Sequence, residues 1–443
     1  MKRVGGLWDD FRSFSNATGA INDGTEHKRG DFLVRRRVGY EDDDPKHIGA
    51  LCPTKVKKQA RLLIELVSSD WKPSPMKPKV IRPPRGKERN IMCPVLTDHF
   101  IHWMLIRTIK PCLMRGMYAH SYGSIPNRGI DGARATVERW IQHDPEAKYF
   151  VKLDIRKFYE NIKQDILKSQ FRHIIKDEKI LTIIDKTIEA IPCGVPIGAY
   201  SSQWFANFYL QSLDHFIVQG LYKTRRGKQI NFVKHYLRYM DDLLLIGSSK
   251  RDLEKAIRAV MQYCHDKLQI EIKPCWEIKL IAARKVDEQG KKINLPHVGP
   301  IDICGYRFYK DHTEIRSGIF LHASRLAAKI EKRLARDGTI LLLHAQGLNS
   351  LCGWFSHGDS EYFLANYVNN RVNINFLKEV ISYADKNGIV GDAARIYCRK
   401  RERDGRYQIL YGCSGGSTRS RHCVSGYNVV DELPVDFFCA GED

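Results

Sequence analysis

His235-Tyr-Leu-Arg-Tyr-Met-Asp-Asp-Leu-Leu-Leu-Ile-Gly-Ser248 is the stretch from which the rest of the chain is read. Two apolar runs, Tyr236-Leu237 and Leu243 to Ile246, flank Tyr239, Met240, Asp241 and Asp242, a pattern that predicts strand, tight turn, strand. Adjacent carboxylates at a hairpin tip repel one another, and a divalent cation with hard oxygen ligands relieves that repulsion, which points to Mg²⁺ and phosphate chemistry. An acidic surface turn is the bland alternative. A solvated turn, however, needs no buried strand on either side, whereas a catalytic hairpin must be held by a packed sheet.

A further carboxylate lies upstream in Lys148 to Ile162, KYFVKLDIRKFYENI, which reads as a strand ending at Asp154 with Phe158 and Tyr159 opening a helix. An Asp there also suits a helix cap. Together with Asp241 and Asp242 it completes a set able to hold two Mg²⁺ ions roughly 3.5 to 4 Å apart, activating a 3′-hydroxyl and stabilising a leaving pyrophosphate. Between these carboxylates, Cys193-Gly-Val-Pro-Ile197-Gly198-Ala-Tyr-Ser-Ser202-Gln203 is a Gly/Ser loop entering an apolar helix, where small residues let backbone approach a base or sugar.

Earlier, Lys79 to Met92 forms two short extended pieces around a Pro/Gly turn carrying Arg82, Arg85, Lys87 and Arg89. Such a loop suits a triphosphate, and equally a solvated basic hairpin. Tyr122 to Arg134 is a Gly-rich loop running into a helix from about Gly132, whose amides beside Arg128 suit a template phosphate. It lacks the Gly-Lys-Ser/Thr ending of a P-loop nucleotidase.

The remaining sequence is scaffold. Thr54 is expected to cap a helix to about Ser69 with Leu62, Leu63, Leu66 and Val67 turned inward, and Thr97 to open a core helix to about Met117. After the acidic hairpin come a helix from Leu253 to Leu268, a strand region from Ile270 to Ile281, and one apolar strand from Ile301 to Phe308 with Gly305 at its centre. Residues 321–385 are helical and basic, with Trp354 in Gly-Trp-Phe, and suit a duplex backbone or simply a solvated face. Beyond 385, Gly, Ser, Arg and Tyr predict a small β-rich tail. Its Cys398, Cys413, His422, Cys423 and Cys439 could supply zinc ligands, but their irregular spacing argues against a site.

Composition sets the partner class. Among 443 residues, 72 Lys and Arg stand against 51 Asp and Glu, a net +21 spread along the chain, which implies a polyanion. Nucleic acid fits better than a membrane, since the chain shows no basic amphipathic helix with an aromatic face, no signal peptide and no stretch near the roughly 18 apolar residues of a span. The 12 cysteines include no Cys-x-x-Cys pair, so a soluble, cytoplasmic protein with reduced thiols is expected.

From about residue 79 to 365 the chain resembles a reverse transcriptase. The basic loop, Tyr122-Gly-Ser, the Asp154 strand, Gly198 with Ser202, Tyr239-Met-Asp-Asp and Cys304-Gly-Tyr fall in that family's order. The resemblance implies an α+β right-hand polymerase with an N-terminal extension (1–50), fingers (51–147), a ferredoxin-like palm (148–315, interleaved with fingers near 163–190), a helical thumb (316–385) and a C-terminal tail (386–443). It makes Asp154, Asp241 and Asp242 the catalytic residues and ligands of two Mg²⁺ ions, for which Mn²⁺ can substitute. It puts Arg82, Arg85, Lys87, Arg89, Tyr159, Gly198, Ser202 and Gln203 at the incoming dNTP, with Tyr159 against a 2′-hydroxyl. Arg128, Tyr239, Met240 and Trp354 are implied at template and primer. The family's lysine after the catalytic hairpin is Lys273 or Lys279.

Most members read Gln-Gly-x-x-x-Ser-Pro where this chain reads Ile197-Gly-Ala-Tyr-Ser-Ser-Gln203. That variant is similar to the reverse transcriptases of diversity-generating retroelements, bacterial or phage-encoded, which copy a template-repeat RNA into adenine-mutagenised cDNA with a small helical accessory protein. Ile197 would then act on fidelity, since it cannot hydrogen-bond beside the nascent pair as an amide does. Alternatives are an antiphage defence-associated or group II intron-like reverse transcriptase, or a polymerase-derived RNA-binding scaffold without chemistry.

Overall fold

The computed structural model describes residues 3–26, 36–40, 50–81, 88–283, 296–355, 360–387, 389, 394–400 and 407–414. Near the N-terminus the helix Phe14–Glu26 and the helix Pro53–Ser68 pack around the long apolar helix Leu96–Arg115, whose Phe100, Ile101, Met104 and Leu105 are buried. Proline at the first helical position, not Thr54, starts the second of these helices, and its preset φ suits a site where no N–H is needed. Leu63 and Val67 face inward as expected; Leu62 does not, because it falls on the solvent side of the turn that buries Leu63.

Between these helices, β1 (Lys77–Ile81) and β2 (Arg89–Cys93) form an antiparallel hairpin. The chain then runs through the helix Ile130–His143 into β3 (Tyr149–Asp154), and through the helices Gln164–Ile174, Glu178–Ile188 and Tyr200–Tyr209 to a two-stranded ribbon, β4 (Tyr222–Arg225) and β5 (Lys228–Asn231). Next come β6 (His235–Tyr239) and β7 (Asp242–Gly247), the helix Lys250–Tyr263, β8 (Lys279–Ile281) and β9 (Val298–Gly299). One five-stranded sheet results, ordered β6-β7-β3-β8-β9.

Because side chains alternate along a strand, this sheet separates two cores. Val151, Leu153, Leu243 and Leu245 enter the first, with the N-terminal helices and Leu253, Ala256 and Ile257 of the helix Lys250–Tyr263. Phe150, Leu244 and Ile246 enter the second, with the C-terminal elements.

The segment expected as one strand from Ile301 to Phe308 is instead a hairpin of β10 (Ile301–Ile303) and β11 (Tyr306–Phe308), extended by β12 (Thr313–Ile315). Cys304 and Gly305, at φ 53° and 81°, turn the chain back. The basic helix Ser317–Asp337 follows, but the C-terminal region is not purely helical. β13 (Thr339–Leu341) precedes the helix Leu342–Phe355 and pairs with β14 (Arg395–Lys400), which pairs with β15 (Tyr407–Ser414). Residues past 385 therefore help complete the second core, through Ile396 and Cys398. Burial pushes the Cys398 thiol up to about 12, the opposite of what a metal thiolate needs, and His422, Cys423 and Cys439 lie outside the described residues.

Candidate active site

Strand register brings the carboxylates together. Asp154 ends β3 directly opposite Asp242, which opens β7, and Tyr239 of β6 pairs with the same Asp242. Opposed residues share a face, so Asp154 and Asp242 project to the same side of the sheet. Asp241 stands in the turn, next to Met240 at φ 54°. A bulky side chain in that left-handed conformation costs roughly 1–2 kcal/mol, so the surroundings must fix it.

They do so through residues to which the sequence pattern assigned no part in holding the turn. A Cβ on Gly123 would lie 2.5 Å from Met240 Cγ and 2.7 Å from its backbone nitrogen, so only glycine fits under the turn. Arg238, fully buried in β6, donates through Nη1 to the Met240 carbonyl at 3.1 Å and to Asn207 Oδ1 at 2.8 Å. Its Nε and Nη2 grip both oxygens of the equally buried Asp214 at 2.8 and 2.7 Å, and Nη2 also reaches the Asn207 carbonyl at 3.3 Å. Every guanidinium N–H is thus used. Tyr236 donates to Asp214 at 2.8 Å, its hydroxyl held protonated by burial and by that carboxylate, while Asn207 Nδ2 donates to Gly123 O at 2.9 Å. The signal available in the sequence was an Arg inside an apolar strand and an Asp inside an apolar helical stretch, each needing a buried partner.

Electrostatic crowding marks the site. Burial first, then the Asp242 and Asp154 charges, push the Asp241 carboxyl up to about 6. Burial likewise raises Asp242, against the opposing pull of Lys152, Arg316 and Lys273. Lys273 donates Nζ to Asp154 Oδ2 at 2.6 Å and its backbone N–H to the Asp154 carbonyl at 2.8 Å, and the Asp154 hydrogen bond holds its ammonium above the ordinary range. Lys279 instead pairs with Glu277 at 3.1 Å, so the lysine brought to the carboxylates is Lys273. Among the described residues no three His, Cys, Asp or Glu side chains are drawn together as a metal cluster, Asp154 being turned to Lys273. The chemistry of the set nonetheless fits a hard cation: oxygen donors only, with burial and neighbouring carboxylates raising the cost of charge on Asp241 that a cation would offset.

The other expected residues divide. Tyr159, half-buried, follows β3 in the short helix Phe158–Asn161, and its carbonyl accepts from Val195 N–H at 2.9 Å. Gly194, at φ 67°, would place a Cβ 2.3 Å from that carbonyl, so the loop before Gly198 is seated on Tyr159. Met92 N–H of β2 donates to the Ile197 carbonyl at 2.7 Å, which joins the Arg89-bearing hairpin to the same loop. Gly198 and Gln203 are exposed and Ile197 half-buried. Arg82, Arg85 and Lys87 lie outside the described residues.

Two placements, Ser202 and Trp354, correct the expectation, and Arg128 is half-buried in its own loop. Ser202 is 1% exposed, turned into the packing of the helix Tyr200–Tyr209 and closed to a nucleotide. Arg128 donates Nη1 to the carbonyls of Tyr118 at 2.6 Å and Ser121 at 3.3 Å, tying its own loop. Trp354 is buried against Tyr306, and a Cβ on Gly305 would meet its ring at 2.5 Å, so it is core and not a template platform.

Residues 75–275 match the family model described as reverse transcriptase (RNA-dependent DNA polymerase). Protein YkfC of Escherichia coli (strain K12) is 23% identical over 46% of this chain and 64% of its own. Group II intron-encoded protein LtrA of Lactococcus lactis subsp. cremoris is 25% identical over 50% of this chain and 38% of its own, so the match spans less than two thirds of either protein. Retron Ec73 reverse transcriptase of Escherichia coli is 24% identical over 59% of this chain and 78% of its own. Among solved structures, apo telomerase from Candida Tropicalis is similar at a TM-score of 0.45 and 12% identity, over 80% of this chain and 71% of that one. Residues 75–275, the segment that matches the reverse transcriptase family model, contain all three carboxylates.

Proposed function

We propose that this chain is an RNA-templated DNA polymerase with the right-hand arrangement of fingers, palm and thumb. The observation that carries the reading is the register that sets Asp154 opposite Asp242 beside an Asp241 pushed up to about 6 by burial and by its neighbouring carboxylates, inside a segment matching reverse transcriptases. Mg²⁺ ions, or Mn²⁺, held by Asp154, Asp241 and Asp242 would supply activation of the primer 3′-hydroxyl and charge compensation for the departing pyrophosphate. The chain's own residues then divide the work. Arg238 and Gly123 aim the turn, Tyr159 borders the sugar, and Arg89 lies over the incoming base. Asp241→Asn should abolish primer extension on RNA while leaving the unfolding midpoint near wild type; extension by that folded variant refutes the assignment.

Within that activity, the Ile197-Gly198 motif supports copying of a template-repeat RNA in a diversity-generating retroelement, with a helical accessory protein as partner. Likeness to an intron-encoded protein and to a retron enzyme supports a second reading, an intron- or retron-type reverse transcriptase. Sequencing cDNA made on one RNA containing all four bases separates them. Errors concentrated at adenine, and reduced there by Ile197→Gln, favour the first reading; a flat error spectrum favours the second.

A further inference from the structure

We propose that the side of the central sheet facing away from the carboxylates carries a second RNA-binding surface, built from the β4–β5 ribbon and the outer stripe of the helix Lys250–Tyr263. It would take the sugar-phosphate backbone of RNA outside the segment being copied. The inference rests on the reading that the chain acts on RNA.

Sidedness is the first observation. Asp154 and Asp242 fall in step with Phe150 and Leu244, whose side of the sheet belongs to the second core. The helix Lys250–Tyr263 covers the opposite side through Leu253, Ala256 and Ile257. The ribbon also roots at the far end of the hairpin: Lys234 N–H donates to the Ile246 carbonyl at 2.8 Å, and Lys223 is ion-paired at 2.6 Å with Asp252 in the first turn of that helix. At about 3.4 Å per residue, Gly247 lies about 17 Å along β7 from Asp242. Phosphates held there cannot be those reacting at the carboxylates.

Charge is the second. Arg225 stands directly across from Lys228, a like-charge cross-strand pair that weakens an isolated ribbon. Arg226 adds a third cation at the tip, at φ 52° beside Gly227. On the helix, Arg251, Lys255 and Arg258 repeat at i, i+4 and i+7, forming one exposed stripe opposite the buried face. The helix's acids beside the stripe are Asp252, taken by Lys223, and Glu254, one turn before Arg258, yet among the described residues none of these six cationic side chains makes an ion pair or hydrogen bond. Two adjoining sets of mutually repelling, unpaired cations are what a flexible polyanion would neutralise, releasing its counterions.

The test compares two probes on the full chain: a short oligo(dT)–oligo(rA) duplex, and the same duplex whose RNA strand continues into a hairpin-containing leader. In R225Q/R226Q/K228Q combined with R251Q/K255Q/R258Q, affinity for the extended RNA should fall about tenfold or more at low salt, and its salt slope should flatten by about 0.7–0.9 for each phosphate no longer neutralised. Affinity for the short duplex and extension on it should stay unchanged. Unaltered binding of the extended RNA, an equal loss on both probes, or a loss seen only with phosphatidylserine vesicles or an acidic protein would overturn the proposal. Wild-type protein that binds the extended RNA through these residues but extends no primer would refute the polymerase reading and leave the surface standing.

Discussion

Two carboxylate–cation pairs flank the Asp241–Asp242 turn at nearly equal separations, Arg238–Asp214 at 2.7 Å and Lys273–Asp154 at 2.6 Å, and they do different jobs. Both side chains of the first are 0% exposed; both of the second are 42% exposed. Removing two charges from water costs several kcal/mol per ion, and only the bidentate geometry plus Tyr236, Asn207 and Met240 offsets it. The second pair remains hydrated and screened, so either partner can let go when another charge arrives. Separation therefore does not distinguish a fixed support from an exchangeable tether, whereas burial does.

The contrast is most exposed to refutation at Asp214. Asp214→Ala leaves the Arg238 charge buried and uncompensated, and should cost about 3–5 kcal/mol in chemical denaturation, with extension lost alongside the fold. The double substitution Arg238→Met with Asp214→Leu should recover much of that stability but not extension, because Met240 then loses its donor. Recovery of both would mean that the network is not what aims the turn.

A smaller effect comes from a buried base with no ion partner. His102 is fully buried on the helix Leu96–Arg115, and burial drives its pKa down to about 4. Since the unfolded imidazole titrates near 6.5, the unfolded state takes up the proton first; stability is complete above that pH and is lost as pH falls toward 4, by about 3 kcal/mol in all and about 2 kcal/mol by pH 5. His344, also pushed to about 4, acts in the same sense. Urea midpoints at pH 7 and 5 should therefore converge in His102→Gln relative to wild type, and identical pH dependence would show that His102 is solvated.

Smallest of all should be Lys273→Met. With both partners well exposed, its unfolding free energy should stay within about 1 kcal/mol of wild type. A loss as large as that of Asp214→Ala would collapse the distinction between the two pairs.

How far the sequence could be read follows the same line between local and distant interactions. The hairpin from His235 to Gly247 and the strand ending at Asp154 were legible because apolar alternation and a turn are local facts. The support of the turn was not, since Gly123, Asn207, Asp214 and Arg238 meet only after the sheet and the helix Tyr200–Tyr209 have packed. Trp354 misled for a related reason: Gly-Trp-Phe reads as a stacking platform until Gly305, nearly fifty residues earlier, is seen to leave room for its ring. At Cys304-Gly305 the cue was present, because a glycine inside an apolar run also signals a turn, which is what it makes.

The bond from Met92 N–H to the Ile197 carbonyl bears on how such a chain can change over generations. What fastens the two segments there is main chain, with glycine φ 111° at 198 allowing the close approach to Met92, so the attachment does not depend on which side chain position 197 carries. Replacements at 197 can accumulate without unfastening the segments they join. Position 198 has no such latitude, because its φ of 111° and a Cβ that would lie 3.2 Å from the Met92 carbonyl oxygen both call for glycine.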